Sequence, residues 1–443
     1  MGLDVGNFDL GNFNTVPNPI YRMEDLEEFK IPSNPITYMG RTLVPTERGF
    51  ALGDPYCINL KTSGDQLESI LIYGPSGTGK TFVLYILFEI ITMLTAEPIF
   101  WVDRKAEWYG WGHPKLPFKG MDSYEWRLME RFHPEFLTFF SSIGKIKPTN
   151  IIEDFVDSFT CFFNPKNVIV FFPPYATLEK EDLKQISEIT GYRCKFFKPS
   201  WKLLTPTAAA NLFSFNIKAR YMEVYERAFF EARKEAENYS EFIATLMDFI
   251  EQETVAKEYR ILASLLGSDE CFKWFEYSGE NMLLEAFEKP GQIYVLSFMG
   301  FPQVPKNAAW VELWIESAVS AVRLTGKQAT VAIDDLPWYR IENIDILSAL
   351  KKLIHVESRI PGVGMRKILV TQTTRQLPRD ISPATNCYTH IISTKPSYGF
   401  SWKTHPQYEC EVKDIILDKE YRLTLRPPLN KKLRLPREAL PIR

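Results

Sequence analysis

Residues 74–81 read Gly74-Pro75-Ser76-Gly77-Thr78-Gly79-Lys80-Thr81, the complete G-x-x-x-x-G-K-T spacing of a phosphate-binding loop. Each part has a task on a nucleoside triphosphate. The glycines let the chain turn so that successive backbone N–H groups face the phosphates. Lys80 is placed for the β- and γ-phosphates, and the Thr81 hydroxyl for Mg²⁺. The flanks agree with this. Leu71-Ile72-Tyr73 is an apolar strand entering the loop, and Phe82 to Phe88 continues as a helix whose N-terminal dipole favours an anion. The sequence is therefore expected to bind ATP or GTP.

A hydrolase built on such a loop needs an acid at the end of a buried strand, on the magnesium side, and a second carboxylate to orient water. Val331-Ala332-Ile333-Asp334-Asp335 offers both. Asp334 is the expected magnesium-side acid and Asp335 the expected base. A further apolar run, Ile368-Leu369-Val370-Thr371-Gln372, ends in a polar residue. In an open α/β sheet that end lies where ligands bind, so Gln372 is expected to face the γ-phosphate or its water.

The elements that must carry these residues can be read from apolar runs. Strands are expected at 68–73, 98–103, 168–172, 292–298, 329–333, 367–371 and 388–393. Helices are expected from the loop to about 96, at 306–325 and at 343–358. Strands alternating with helices make a parallel sheet covered on both faces. Residues 1–35 are rich in Asn, Gly and Pro, with Gly6-Asn7-Phe8 echoed at Gly11-Asn12-Phe13, and read as an extended arm. Short strands are expected within 36–66. Residues 120–285 read as mostly helical. The final segment is Pro-rich and ends basic, through Lys431-Lys432-Leu433-Arg434.

Composition narrows the classes. With 45% apolar and 24% charged residues, the 443-residue chain is a packed globular protein and not a disordered one. A net charge of −3 means that any nucleic-acid contact must be a local patch. The six cysteines are dispersed without C-x-x-C spacing, which argues against a zinc site or disulfide framework and fits a reducing cytoplasm. No metal is expected beyond the Mg²⁺ carried by the nucleotide. The most apolar run, Phe82 to Ala96, is short for a bilayer and carries Glu89, so no membrane segment is expected.

Thr371-Gln372-Thr373-Thr374-Arg375-Gln376-Leu377-Pro378-Arg379-Asp380-Ile381 resembles the T-Q-x-x-x-x-L-P-x-x-I segment of the HerA/FtsK superfamily of motor ATPases. That superfamily includes ATPases of conjugation and type IV secretion and viral genome-packaging motors. Asp103-Arg104-Lys105-Ala106-Glu107 resembles its D-x-K-x-E element, which makes Asp103, Lys105 and Glu107 further site candidates. Glu357-Ser358-Arg359, followed by Gly362-Val363-Gly364, resembles the helix end that carries an arginine finger, with Arg366 as the competing candidate. The similarity spans roughly residues 40–120 and 285–395.

The resemblance implies a RecA-like P-loop core assembled as a homo-hexameric ring around a DNA-sized channel, with ATP at subunit interfaces. Lys80, Thr81, Asp334, Asp335 and Gln372 would act in cis and Arg359 in trans. Arg104, Lys105, Lys115, Lys119 and Arg340 are candidate channel cations. The domains are then expected as residues 1–66, an arm with a short β segment; 67–395, the ATPase core with its helical insertion at about 120–285; and 396–443, the tail. The implied function is an ATP-hydrolysing motor that moves double-stranded DNA, partnered by a nuclease, portal or membrane channel. The alternatives are a secretion-type ATPase moving protein or pilus subunits and a slow nucleotide-dependent switch. The last arises because Asp335 stands where most members carry the longer Glu. With only 66 residues before the core strand, the N-terminal β-barrel of HerA proteins is expected to be reduced or absent. That points toward a mobile-element, viral or secretion-associated relative.

Overall fold

The computed structural model describes residues 35–47, 49–60, 67–113, 123–134, 136, 163–174, 178–215, 219–252, 257–275, 281–301, 306–336, 364–377, 379–383, 387–395, 408–433 and 435–436. Most of the arm, the helix at 343–358, Arg359, Lys115, Lys119 and Arg340 lie outside the described residues.

Strands β1 (Tyr38–Thr46) and β2 (Gly49–Cys57) precede β3 (Ser69–Tyr73), which enters the phosphate loop. Helix α1 (Lys80–Leu94) leaves the loop and leads to β4 (Ile99–Asp103). After α2 (Ser123–Phe132) come β5 (Val168–Phe172), α3 (Lys180–Thr190) and β6 (Arg193–Phe196). A helical group follows: α4 (Pro206–Leu212), α5 (Ala219–Glu235), α6 (Tyr239–Gln252), α7 (Lys257–Leu266) and α8 (Asp269–Phe275). The chain then returns through β7 (Ile293–Ser297), α9 (Lys306–Thr325), β8 (Gln328–Ile333) and β9 (Gly364–Thr371). It ends with β10 (His390–Ser393), β11 (Glu409–Asp414) and β12 (Lys419–Leu425).

All of these strands join one 12-stranded sheet, ordered β2-β1-β12-β11-β10-β3-β9-β8-β4-β7-β5-β6. From β10 to β6 neighbouring strands run parallel; from β10 outward to β2 they run antiparallel. The parallel strands β4, β5, β7 and β9 are buried along their whole length, as a sheet covered on both faces requires. The fold is thus α/β with a mainly parallel sheet, as the alternation of strands and helices implied.

Helix α1 is buried from Val83 to Thr92, and α9 is buried along most of its twenty residues. The abundant aromatic residues fill the layers between helices and sheet. Trp101 meets Tyr85 and Phe88 edge-on, and Trp314 packs against Phe100, Phe171 and Phe197. Residues of α5, α6 and α7, such as Phe229, Phe242 and Leu262, belong to the same apolar cluster as Val170 and Val331 of the sheet. The helical group therefore shares the core of the sheet.

Two features differ from the sequence expectation. Strand β6 is an edge strand whose side chains, Arg-Cys-Lys-Phe, are exposed at Arg193 and half-buried in the rest, and it gives no apolar run. The final segment contains β11 and β12, a hairpin that bridges β10 to β1 and so ties the N-terminal strands to the core sheet.

Candidate functional site

Register brings the candidate residues to one edge of the sheet. Tyr73 of β3 lies beside Thr371 of β9, Leu369 of β9 beside Ile333 of β8, and Ile333 beside Val102 of β4. The next residues out from these strands are Gly74, Gln372, Asp334 and Arg104. They meet at the carboxyl ends of parallel strands, where α/β sheets bind ligands. The Gly74 N–H donates to the Thr371 carbonyl at 3.3 Å, fastening the start of the loop to the end of β9.

The loop geometry accounts for its glycines. Gly77 and Gly79 take φ of 82° and 95°, a region that favours glycine. At Gly74, φ is 153° and a Cβ would sit 2.2 Å from the Thr394 hydroxyl at the end of β10. Among the described residues nothing lies within 4 Å of where a Cβ on Gly77 would be. Helix α1 begins directly after Gly79 with no side-chain cap, leaving its N-terminus to an anion. The Thr78 hydroxyl donates to the Pro75 carbonyl at 2.8 Å and pairs with the Thr394 hydroxyl at 2.6 Å. Lys80 Nζ donates to the Gly74 and Pro75 carbonyls at 2.7 and 2.8 Å, which curls the side chain back over the loop. Partial burial lowers the Lys80 pKa, with Lys105 and Lys432 acting the same way against Asp334 and Asp335.

The two adjacent carboxylates differ in environment. Asp334 is buried, and burial, with Glu107 and Asp335 adding to it, raises its pKa to about 6 against the pull of Lys105. Asp335 is also buried and takes a left-handed φ of 54°, its N–H donating to Asp334 Oδ1 at 2.8 Å. Its burial would raise the pKa, yet Lys105, Arg104 and Gln372 outweigh it and hold the carboxyl below the usual range. Arg104 Nη1 lies 2.8 Å and Lys105 Nζ 3.4 Å from Asp335 Oδ2, while Gln372 Nε2 donates to Asp335 Oδ1 at 3.3 Å.

Asp103 closes β4 from within. It is buried, and its carboxylate accepts from the Lys105 N–H at 3.0 Å and the Trp108 N–H at 3.5 Å. Burial, Asp334 and Glu107 raise its pKa well above the usual value. Its contacts shape the turn that aims Arg104 and Lys105. Glu107 pairs instead with Lys432 at 3.0 Å, and its carbonyl accepts from the Tyr85 hydroxyl. Arg104 and Lys105, expected to line a channel, thus have their head groups on Asp335.

Arg366, the competing finger candidate, is excluded by position. It lies six residues before Gln372, about 20 Å back along β9 at the opposite edge of the sheet. There it is fully buried between Glu68, at 2.9 Å, and Glu97. Sequence reading also missed the role of the C-terminal segment. Glu89, the lone acid in the apolar part of α1, accepts from Arg426 Nη1 at 2.7 Å. It also accepts from the N–H groups of Leu429 and Asn430 at 2.6 and 2.9 Å. A buried acid in an apolar helix was the signal available, since such a charge must be paired.

A hard, oxygen-only donor set, the Thr81 hydroxyl and the Asp334 carboxylate, suits Mg²⁺. The residues present therefore fit magnesium. Among the described residues no helix is long and apolar enough to cross a membrane.

No protein-family model and no curated protein matches the sequence. Solved structures similar to it include VirB4 of Thermoanaerobacter pseudethanolicus, at 10% identity and TM-score 0.46 over 93% of this chain and 99% of that one. The bacterial conjugative coupling protein TrwBdeltaN70 is 12% identical at TM-score 0.44, over 85% of this chain and 88% of that one. The genome packaging NTPase B204 from Sulfolobus turreted icosahedral virus 2, in complex with ATP-gammaS, is 15% identical at TM-score 0.22, over 32% and 70%. In this chain β9 lies between the loop-bearing β3 and β8, so Gln372, which follows β9, and Asp334, which follows β8, come out at the same sheet edge as the loop.

Proposed function

We propose that this chain is an ATP-hydrolysing motor of the HerA/FtsK kind that moves double-stranded DNA, working as a homo-hexameric ring. The observation that carries the ATPase reading is the meeting of Lys80, Asp334, Asp335 and Gln372 at one sheet edge, with Gln372 bonded to Asp335. Residues 74–81 bind the triphosphate, Lys80 its β- and γ-phosphates. Thr81 and Asp334 would hold the Mg²⁺, which would neutralise phosphate charge when bound. Asp335 orients a water molecule whose oxygen forms a bond to the γ-phosphorus as the bond to the ADP oxygen breaks. Gln372 steadies that carboxylate and stands beside the water. ADP and inorganic phosphate leave, the water proton passing by way of Asp335. Arg359 of a neighbouring subunit supplies positive charge to the separating phosphate.

The site chemistry is tested by phosphate release and nucleotide affinity together. Lys80→Ala is expected to abolish both, because the loop loses its cation. Asp335→Asn is expected to keep affinity within about twofold and to slow turnover by about 10² or more, the usual share of a general base. Wild-type turnover in Asp335→Asn contradicts the role given to Asp335.

A further inference from the structure

Strand β4 lies directly beside β8, so its end comes out next to Asp334 and Asp335. The turn after it is fixed from inside: buried Asp103 accepts from two N–H groups of the turn, and Ala106 takes a left-handed φ of 57°. The backbone from which Arg104 and Lys105 project is therefore set by buried structure.

Their target is equally constrained. The Asp335 side chain is only 3% exposed, its backbone is held in a left-handed conformation, and both its oxygens are engaged. With Arg104 and Lys105 on Oδ2 and Gln372 on Oδ1, three of the carboxylate's roughly four acceptor sites are taken, and the two cations offset the charge that a base needs. Release of a cation restores that charge and frees a site for water. The cations are the mobile partners, because Arg104 and Lys105 side chains are 40% and 42% exposed on long, flexible stems. Lys105 is also near enough to Lys80 and Asp334 to act on the charge of both. A terminal phosphate seated at Lys80 carries more negative charge than the carboxylate, and guanidinium matches phosphate oxygens in a bidentate fork.

We propose that Arg104 and Lys105 are positioning residues that exchange the Asp335 carboxylate for the γ-phosphate of bound ATP. The exchange couples arrival of the triphosphate to release of the base within a single subunit. It rests on the reading that Asp335 orients water, and it predicts discrimination between ATP and ADP, which differ only in the group that draws the cations away.

The test is the affinity of Arg104→Ala, Arg104→Lys, Lys105→Ala and the double Ala variant for Mg-ATPγS and Mg-ADP, with kcat and KM for ATP. Loss of a charge-assisted contact is worth about tenfold or more. Arg104→Ala and the double variant are expected to weaken ATPγS at least tenfold, leave ADP within twofold, and lower kcat. Arg104→Lys is expected to recover most of the discrimination, because it restores the charge. Equal weakening of both nucleotides, or none of either with kcat unchanged, overturns the exchange. Wild-type protein that binds neither nucleotide overturns the ATP reading itself, a distinguishable result.

Discussion

His133 is enclosed by groups that keep its ring neutral. The Tyr38 hydroxyl donates to Nδ1 at 2.7 Å, and Nε2 donates to the Leu425 carbonyl at 3.1 Å. Burial, with Arg41 and Arg426 acting the same way, lowers its pKa to about 3. The unfolded chain, whose imidazole titrates near 6.5, therefore takes up the proton first as pH falls. Stability contributed by the neutral ring is full above pH 6.5 and is lost from there toward pH 3, at up to about 1.4 kcal/mol per pH unit. Urea unfolding at pH 7 and pH 5 should show wild-type protein losing about 2 kcal/mol more than His133→Gln. Equal losses would mean that the ring is not buried neutral. Arg366 carries a related lesson. Its burial, which opposes the charge, is outweighed by Glu97 and Glu68, so it remains charged as a structural cross-link and is not spared for a neighbouring subunit.

At the scale of elements, the seven strands β3, β4, β5, β7, β8, β9 and β10 could be read because burial on both faces demands continuous apolar runs. Strand β6 escaped because an edge strand with polar side chains carries no such signal. The β11–β12 hairpin did leave a trace. Cys410 and Val412 alternate with the less buried Glu411 and Lys413, but the prolines around the segment suggest an unpaired tail. The loop, the paired acids and Gln372 were legible because their spacing is local. The contacts of Arg104 and Lys105 with Asp335 were not, because they depend on β4 lying beside β8, a non-local fact. Nor was the link between Glu89 and the segment 426–430, which fastens that segment to the helix leaving the phosphate loop. Removing one partner of a buried pair strands the other, so Glu89→Ala should cost about 3–5 kcal/mol. Glu89→Gln, which keeps acceptors for the Leu429 and Asn430 N–H groups, should cost less. Urea midpoints and protease cleavage within 426–433 would check this; unchanged midpoints in both variants would mean that the segment does not brace the helix.

For the whole molecule, one sheet carries both the phosphate loop and the antiparallel strands β1, β2, β11 and β12. If Arg359 serves the site of the next subunit, Arg359→Ala and Lys80→Ala subunits should complement each other. Mixed rings would then contain interfaces with an intact site, and part of the activity should return. Absence of recovery at every ratio, with mixed rings demonstrated by native mass spectrometry, would count against a finger in trans. The DNA reading makes the strongest demand on the assembly. A chain of net charge −3 must attract phosphates through cations repeated around a ring, and such contacts release counterions and ignore base sequence. The most direct measurement is phosphate release by ring-forming protein against increasing duplex length, at low and at moderate salt. The account predicts stimulation that rises with duplex length, exceeds that by short single strands, is indifferent to sequence and falls steeply with salt. A flat response at both salts, from protein that forms rings and hydrolyses ATP, would contradict a DNA motor and favour a protein-moving ATPase.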